Sequence, residues 1–254
     1  MKAWHESTVG KWGVAAAALL LPGLALASIG SVTVLEGTAT RTNGGQTVAL
    51  QAGSEIELND TIEVGAASNV KLTLTDESVL MLGERSQLII DEATFEGQER
   101  KGFAARLGLG KVWAKVKKAL AGSDSKFEVQ TERAVAGVRG TVFRVDYGDT
   151  AKAMIPAQKQ RMIVRVVEGR VVVTQEVRKA IQGKLPSGSE GKKGERKQVA
   201  GPQQVSEEEW EKNFIELQKN QQVVVDSELK PAKAQALDAS AMKDTFGRFV
   251  ERNQ

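Results

Sequence analysis

Apolar residues occupy every second position over much of this 254-residue chain, from about residue 29 to about residue 174. Residues 56–58 and 62–64 show the pattern clearly. A period of two is typical of strands that bury one face. Turn-forming glycine, asparagine and aspartate residues separate the runs at intervals of roughly 8 to 12 residues, a spacing typical of small β-domains. The pattern predicts an all-β fold, built as a sandwich, a barrel or a short solenoid.

Three short segments share a glycine that leads into a valine-containing run. They are G-S-V-T-V from Gly30, G-K-V-W-A from Gly110 and G-R-V-V-V from Gly169. Recurrence of a glycine before a strand suggests that equivalent corners repeat in a coiled sheet. The segments are too short to define a repeat period. They favour a twisted two-sheet or short solenoid-like β-domain over a helical one.

The first 27 residues contain the three parts of a secretory signal peptide. Lys2 and Lys11 are basic, residues 12–21 are apolar, and an A-x-A motif ends at Ala27. We expect cleavage after Ala27 and export of the mature chain. The apolar run is shorter than the roughly 20 residues that a membrane-spanning helix needs. No later stretch is long and apolar enough, so we expect no membrane span after cleavage.

The residue types that are missing exclude several classes of function. The chain has no cysteine, and its one histidine, His5, lies in the predicted signal peptide. The mature chain could therefore form no disulfide, thiolate centre, Ser-His-Asp triad or zinc site of the usual kind. Carboxylates are plentiful, but the sequence shows no pair with the defined separation that a glycosidase needs. We therefore predict no enzyme, no cofactor and no transition-metal site.

The balance of charge argues against a nucleic-acid partner. Lysine and arginine total 35, aspartate and glutamate total 32, and the formal net charge is +3. A domain that binds nucleic acid normally carries a strongly basic face. We therefore expect the partner to be something other than nucleic acid.

Two glycines lie within residues 131–147, T-E-R-A-V-A-G-V-R-G-T-V-F-R-V-D-Y. The pattern predicts a strand, a tight turn and a second strand. Gly137 and Gly140 would then provide positive φ or close backbone approach at the turn. On one interpretation, the stretch is only a structural corner. On the other, Arg139 is held outward between the glycines as a contact residue. Neither interpretation makes the stretch catalytic.

The same stretch resembles a known family. A-V-A-G-V-R-G-T-V-F-R-V, from Ala134, is similar to the G-V-R-G-T-x-F signature of the FecR domain family, periplasmic domains named after the iron-dicitrate sensor. Other segments fall in the order that the family shows, at residues 30–34, 51–64, 69–80, 110–114 and 166–173, so the resemblance covers roughly residues 30–180. It implies a periplasmic β-domain whose signature residues serve the fold or a contact: Gly137, Val138, Arg139, Gly140, Thr141 and Phe143.

Lysines alternate with a tryptophan in G-K-V-W-A-K-V-K-K, which begins at Gly110. The segment suits a short helix or a strand, and the family resemblance favours a strand. A strand would place four side chains on one exposed face, where stacking and charge could bind a partner or a polyanion. Alternatively, the lysines only protect an edge strand from pairing. The four side chains are Lys111, Trp113, Lys115 and Lys117.

The sequence predicts that the β-domain ends near residue 180 and that the chain then changes character. Residues 181–205 are expected to form a flexible basic loop, centred on the lysine- and glycine-rich residues 183–197, and a last β-segment. Residues 206–254 are expected to be helical, apart from a short β-like run at residues 223–225.

Two apolar stripes at helical spacing predict the helices of this C-terminal region. The first begins at a capping box and ends near Asn220. Each stripe must bury against something, and the two possibilities are the chain's own β-domain and a partner. The first stripe follows Ser206 and Glu209 with Trp210, Phe214 and Leu217, and the second has Met242, Phe246, Phe249 and Val250.

The family resemblance implies a binding or signalling module. The best-known members are membrane-spanning regulators that sense an outer-membrane transporter and control a sigma factor. This sequence shows neither a later spanning segment nor a cytoplasmic anti-sigma segment, so we expect it not to be an anti-sigma factor itself. We expect it to recognise an envelope protein or an envelope polymer in the periplasm. The alternative is a structural scaffold that adheres to the cell envelope through the basic loop and the Lys/Trp segment.

Overall fold

The computed structural model describes residues 28–118, 125–148, 160–175, 214–226 and 232–254. Strands make up 60% of these residues and helices 8%, which confirms an all-β fold with a helical segment at the C-terminus. The elements are β1 (Gly30–Glu36), β2 (Ala39–Asn43), β3 (Gln46–Ala49), β4 (Glu55–Ile56), β5 (Thr61–Val64), β6 (Asn69–Leu74), β7 (Val79–Leu82), β8 (Gln87–Glu96), β9 (Glu99–Lys115), β10 (Lys126–Gln130), β11 (Ala134–Val138), β12 (Val142–Tyr147), β13 (Met162–Glu168), β14 (Arg170–Gln175), β15 (Phe214–Gln218), β16 (Gln221–Val225), β17 (Gln235–Ala236), a 3-10 turn (Ala239–Met242) and the helix α1 (Thr245–Asn253).

The strands form two sheets that share one long strand, β9. Sheet A has the order β4-β1-β6-β7-β9-β12-β13-β16-β17. Sheet B has the order β3-β2-β5-β8-β9-β10-β11-β14-β15. The described pairs are antiparallel except β9 with β10, and the sheet arrangement is not closed. Successive strands and strand pairs alternate between the two sheets, so the chain coils back and forth between them. This agrees with the predicted two-sheet or solenoid-like domain.

The shared strand bends at Gly110. Its first part pairs with β8 and β10 in sheet B, and residues 110–115 pair with β12 in sheet A. Gly110 has a φ of +104°, and a Cβ at this position would lie 2.5 Å from Cα of Ser86. Glycine is therefore required by both the dihedral angle and the contact. The corner that the sequence repeat suggested is present here.

Apolar side chains from both sheets meet in one core. Ile62 of sheet B and Leu72 of sheet A are fully buried, as the period-two pattern predicts. Phe127 of sheet B stacks on Phe103 with 4.7 Å between ring centroids, and it meets Phe143 of sheet A edge-on at 6.5 Å. Such aromatic pairs add to the stability that burial provides. Phe143, one of the signature residues, therefore helps to join the two sheets.

The prediction of a helix that ends near Asn220 is wrong for the residues that the structure describes. Phe214–Gln218 form strand β15, which pairs with β14. Ile215 and Leu217 are buried, whereas Phe214 is 51% exposed. Pairing with β14 thus buries alternate residues, and it overrides the helical spacing that Phe214 and Leu217 share with Trp210. The β-like run at residues 223–225 is confirmed as part of β16.

The second apolar stripe forms α1, as the spacing predicted. Phe246, Phe249 and Val250 are buried against Met81 and Trp113 of sheet A. The helix therefore packs on the chain's own β-structure, the first of the two possibilities that the sequence left open. Met242 lies in the 3-10 turn before the helix and packs against the same cluster.

Some predictions concern parts of the chain outside the described residues. The signal peptide predicted at residues 1–27, the basic loop at 183–197 and the capping box at 206–209 are among them. Within the described ranges, no helix is long and apolar enough to cross a membrane.

Candidate binding site

The signature stretch carries the chain from sheet B to sheet A. Strand β11 ends at Val138 in sheet B, and β12 begins at Val142 in sheet A. The two strands are not partners in either sheet, so the expected tight turn is a corner rather than a hairpin. Thr141 holds this corner in place: its hydroxyl donates to the backbone carbonyl of Arg170 at 2.8 Å, and its own carbonyl accepts from the N–H of Val116 at 2.9 Å.

Gly140 has the backbone role that the sequence predicted. Its φ is +66°, and a Cβ at this position would lie 2.9 Å from both Cα and Cβ of Lys118. A side chain here would meet conformational strain and a steric clash with the backbone. Val138 and Thr141 on either side of the exposed Arg139 are buried. Most of the signature therefore serves the fold.

Gly137 does not have the backbone role that was expected. It lies inside β11, and its φ is outside the left-handed region. A Cβ at this position would meet only the carbonyl oxygen of Val172, at an ordinary distance of 3.8 Å. Neither the dihedral angle nor a neighbouring atom therefore requires glycine here. A glycine inside a strand weakens the strand, and it often marks a place where a ligand or another backbone comes close.

Replacing Gly137 with valine tests whether the fold needs this glycine. Because the position is an unstrained strand residue with open space above it, we expect Gly137→Val to raise the free energy of unfolding by about 0.5 to 1 kcal/mol. Chemical denaturation measures the change. A loss of stability comparable to that of a core substitution would show that the fold requires glycine at this position.

The missing side chain leaves a depression in the outer face of sheet B. The strand register places Glu128 of β10 and Val172 of β14 beside Gly137. The cavity at this point has a volume of about 450 Å³. We call it the Gly137 groove and define it by six of its lining residues: Lys126, Glu128, Gly137, Arg139, Arg170 and Val172.

The basic side chains of the groove are exposed, and two of them form surface ion pairs. Lys126 Nζ lies 3.1 Å from Glu92, and Arg170 Nε lies 3.1 Å from Glu216. The hydrogen bond to Glu92 raises the pKa of Lys126 above its usual value. Arg139 is exposed, as the contact interpretation expected. Three basic side chains therefore surround one end of the groove.

The groove borders an exposed apolar surface. Within the described ranges, three large hydrophobic residues are exposed, and two of them, Val172 and Phe214, lie on the outer face of sheet B. Val172 is 39% exposed and Phe214 is 51% exposed. The third, Val48, lies on β3 at the far edge of the same sheet. Exposed apolar residues that cluster beside a groove are typical of binding surfaces.

The contact patch predicted from the lysines and the tryptophan does not form as expected. The strand prediction is confirmed, but Trp113 is 2% exposed because α1 covers it. Lys111 bonds Asp244, and Lys117 pairs with Glu77. Lys115 is exposed. The tryptophan is therefore part of the packing under α1 and is not available to stack on a ligand.

The sequence did not reveal a buried charge cluster between sheet A and α1. Arg144 is 1% exposed, and its guanidinium donates to both carboxylate oxygens of Asp244, at 3.0 and 2.7 Å. Its Nε donates to Asp146 at 2.6 Å, and Arg165 also donates to Asp146. Lys111 Nζ donates to Asp244 at 2.9 Å. These contacts join residues up to 133 positions apart, so no local sequence pattern could have indicated them.

Asp244 connects this cluster to α1. Its Oδ1 accepts from the N–H of Gly247 at 2.7 Å, as the N-cap of the helix. Burial opposes its ionisation, but the hydrogen bonds from Arg144 and Lys111 outweigh this effect and hold the pKa of Asp244 well below its usual range. The negative charge therefore stabilises the docked helix.

Stability should depend on pH through Asp244. The pKa of Asp244 is lower in the folded chain than in the unfolded chain. The stabilisation by its ionised carboxylate is therefore fully present above the unfolded pKa of about 4, and it is lost as the pH falls toward the folded value. Asparagine is also a good N-cap, so Asp244→Asn removes mainly the charge. At pH 7 we expect the variant to be about 1 to 2 kcal/mol less stable, at the low end for a charged hydrogen bond because Asp244 is partly exposed. Denaturation across the acid range should show this difference shrinking below about pH 4, and a constant difference would contradict the account.

No group of three or more histidine, cysteine, aspartate or glutamate side chains in the described ranges is arranged to hold a metal ion. The chemistry of the Gly137 groove is that of cations, one carboxylate and apolar surface.

Comparison with known proteins assigns the central part of the chain to a family. The family model described as FecR protein matches residues 60–172, a range that holds the signature and all six residues of the groove. No curated protein matches the chain. Two crystal structures of a protein described as a "putative anti-sigma factor" from Parabacteroides distasonis are similar, at 18% identity and a TM-score of 0.43, over 71% of this chain and 61% of that chain. This chain thus spans less than two thirds of that protein's length. Residues 60–172 belong to the FecR family.

Proposed function

We propose that this chain is a non-enzymatic FecR-type binding and signalling module that works in the periplasm. It recognises another protein through the outer face of sheet B around the Gly137 groove. The observation that carries this proposal is Gly137 itself, a glycine inside a strand that neither its dihedral angle nor its neighbours require. Sigma-factor inhibition by this chain is not part of what we propose.

A glycine inside a strand has an energetic cost that favours a functional explanation. It lowers stability by roughly 0.5 to 1 kcal/mol relative to alanine. An internal benefit that would offset the cost is missing at Gly137, because open space lies above it. Close approach by a binding partner supplies the reason for the glycine. The exposed Val172 and Phe214 nearby provide apolar surface for the same partner.

The polar groups of the groove are suited to binding rather than to chemistry. Lys126 and Arg170 pair with the carboxylates of Glu92 and Glu216 on other strands of sheet B. We therefore assign the groove to recognition.

Capture of partners from an envelope extract tests this proposal. We expect the mature wild-type chain to retain a specific protein and Val172→Glu to lose it, because a carboxylate would be placed in the apolar contact surface. Arg139→Ala should weaken capture severalfold without unfolding the domain, since exposed substitutions rarely destabilise. Val48→Glu is the matched control and should behave as wild type.

Two outcomes would contradict the proposal. Equal capture by wild type and Val172→Glu would show that this face is not the recognition surface. Retention of the chain on peptidoglycan, lost as ionic strength rises and unaffected by the groove variants, would instead favour a structural scaffold.

A further inference from the structure

The structure also indicates the chemistry of the partner. Resting on the proposed function, we infer that the Gly137 groove binds an acidic segment of a protein partner, with one apolar side chain of that segment seated above Gly137. Carboxylates on the same segment contact the basic end of the groove.

Side chains border the depression above Gly137 on four sides. Glu128 and Val172 border it on the two neighbouring strands. Val135 and Arg139 border it along β11, because residues two apart on a strand share a face. A recessed site of this kind accepts a protruding side chain, whereas a flat membrane surface would contact only the residues that project. A protein segment therefore suits the site better than a lipid bilayer does.

Apolar surface on one side of the depression determines the character of the seated side chain. Val172 is 39% exposed, and Phe214 lies opposite Thr174 in the register of β14 and β15. Both residues project from the outer face of sheet B. An aliphatic or aromatic side chain above Gly137 would bury part of this surface. Binding energy at interfaces commonly comes from a few such anchors in well-packed pockets.

The charge at the other end of the groove indicates which charge the partner carries beside its seated side chain. Lys126, Arg139 and Arg170 line the groove together with one acidic residue, Glu128. The ion pairs of Lys126 and Arg170 are exposed, and such pairs contribute little to stability. Exchanging these intramolecular carboxylates for carboxylates of a partner would therefore cost little. The three basic side chains outnumber the one carboxylate of the lining, and this excess of positive charge favours an acidic segment and speeds its association.

A defined polymer pair tests the inference without knowledge of the natural partner. The probes are a random glutamate–tyrosine copolymer and polyglutamate of matched length, with binding followed by fluorescence anisotropy of the labelled full chain. We expect the copolymer to bind roughly tenfold or more tightly than polyglutamate, since only the copolymer offers an apolar anchor. Binding should weaken as salt is added.

The decisive comparison is between variants that fill the depression with side chains of increasing size. Gly137→Ala should weaken copolymer binding a few-fold and Gly137→Val roughly tenfold or more, as the space is taken. Both variants should melt at or above the wild-type temperature, which separates loss of binding from loss of fold. Arg139→Gln should reduce both affinity and salt dependence. Lys115→Gln removes the same charge from an exposed position in sheet A and should have no effect.

Three results of the polymer and vesicle binding assays would overturn the inference. The first is equal affinity for the two polymers, and the second is copolymer binding that Gly137→Val leaves unchanged. The third is groove-dependent binding to phosphatidylglycerol vesicles but not to the copolymer, which would assign the groove to a membrane surface. If Gly137→Val abolishes capture of an envelope protein that the copolymer does not displace, the proposed function stands and the acidic partner is wrong. If Val172→Glu and Gly137→Val both leave that capture unchanged, both fail.

Discussion

Replacing Asp146 with asparagine is expected to lower the free energy of unfolding by about 3 to 5 kcal/mol. Asp146 accepts hydrogen bonds from two arginines, Arg144 and Arg165, whose side chains are 1% and 8% exposed. The substitution keeps the shape of the side chain and removes its charge. One carboxylate, Asp244, would then face both Arg144 and Lys111, and Arg165 would lose its described ionic partner. Uncompensated buried charge is among the few mechanisms that give losses of this size.

Asp91 provides a matched control for this prediction. It also binds an arginine through both carboxylate oxygens, with 3.1 and 2.6 Å to the guanidinium of Arg106, but the Arg106 side chain is 53% exposed. Solvent screens this pair, so Asp91→Asn should cost less than about 1 kcal/mol. Urea denaturation of the two variants makes the comparison. Equal small losses would show that the cluster under α1 contributes no more than a surface ion pair.

Gly140→Val is expected to cost about 2 to 5 kcal/mol, since backbone strain and steric overlap add. Valine is β-branched, and the φ of +66° at this position lies in the region that such residues avoid. The new Cβ would also lie 2.9 Å from Cα of Lys118, a backbone atom that cannot move aside as a flexible side chain could. Thermal unfolding measures the loss.

The same replacement three residues earlier isolates the cause. Gly137→Val introduces an identical side chain into the same signature, where we expect a small gain in stability. Opposite signs for the two variants would show that the fold requires the glycine at position 140 and not the one at position 137. Similar losses for both would mean that the signature is purely structural.

Much of the β-structure could be predicted from local patterns. The alternation of apolar residues identifies strands because each strand of a two-sheet fold buries one face. Glycines before valine runs indicated corners, and Gly110 occupies one of them. The spacing of Phe246, Phe249 and Val250 indicated α1, because a surface helix must bury one side.

Contacts between distant residues could not be predicted. Trp113 follows the strand pattern, but its exposure depends on α1, which lies more than 130 positions later in the sequence. The pairing of Arg144 with Asp244 depends on the same docking. Phe214 and Leu217 have the spacing of one helical face, and pairing with β14 instead places them on opposite faces of a strand.

The role of Gly137 could not be predicted from the sequence, for a reason other than contacts between distant residues. A sequence shows that a position is glycine and not why. Gly137 and Gly140 are three residues apart and appear equivalent in the motif. The φ of +66° and the contact with Lys118 set Gly140 apart, and the space above Gly137 is the basis of the binding role proposed for it.

Site-specific photocrosslinking in cells is the measurement that most directly tests recognition through the outer face of sheet B. A benzophenone amino acid would replace Val172 in one variant and Val48 in another, two exposed valines on strands of the same sheet. We expect position 172 to crosslink one periplasmic or outer-envelope protein, Gly137→Val to abolish this crosslink, and position 48 to give none. Crosslinking from position 48 alone, or a product at position 172 that Gly137→Val leaves unchanged, would contradict it.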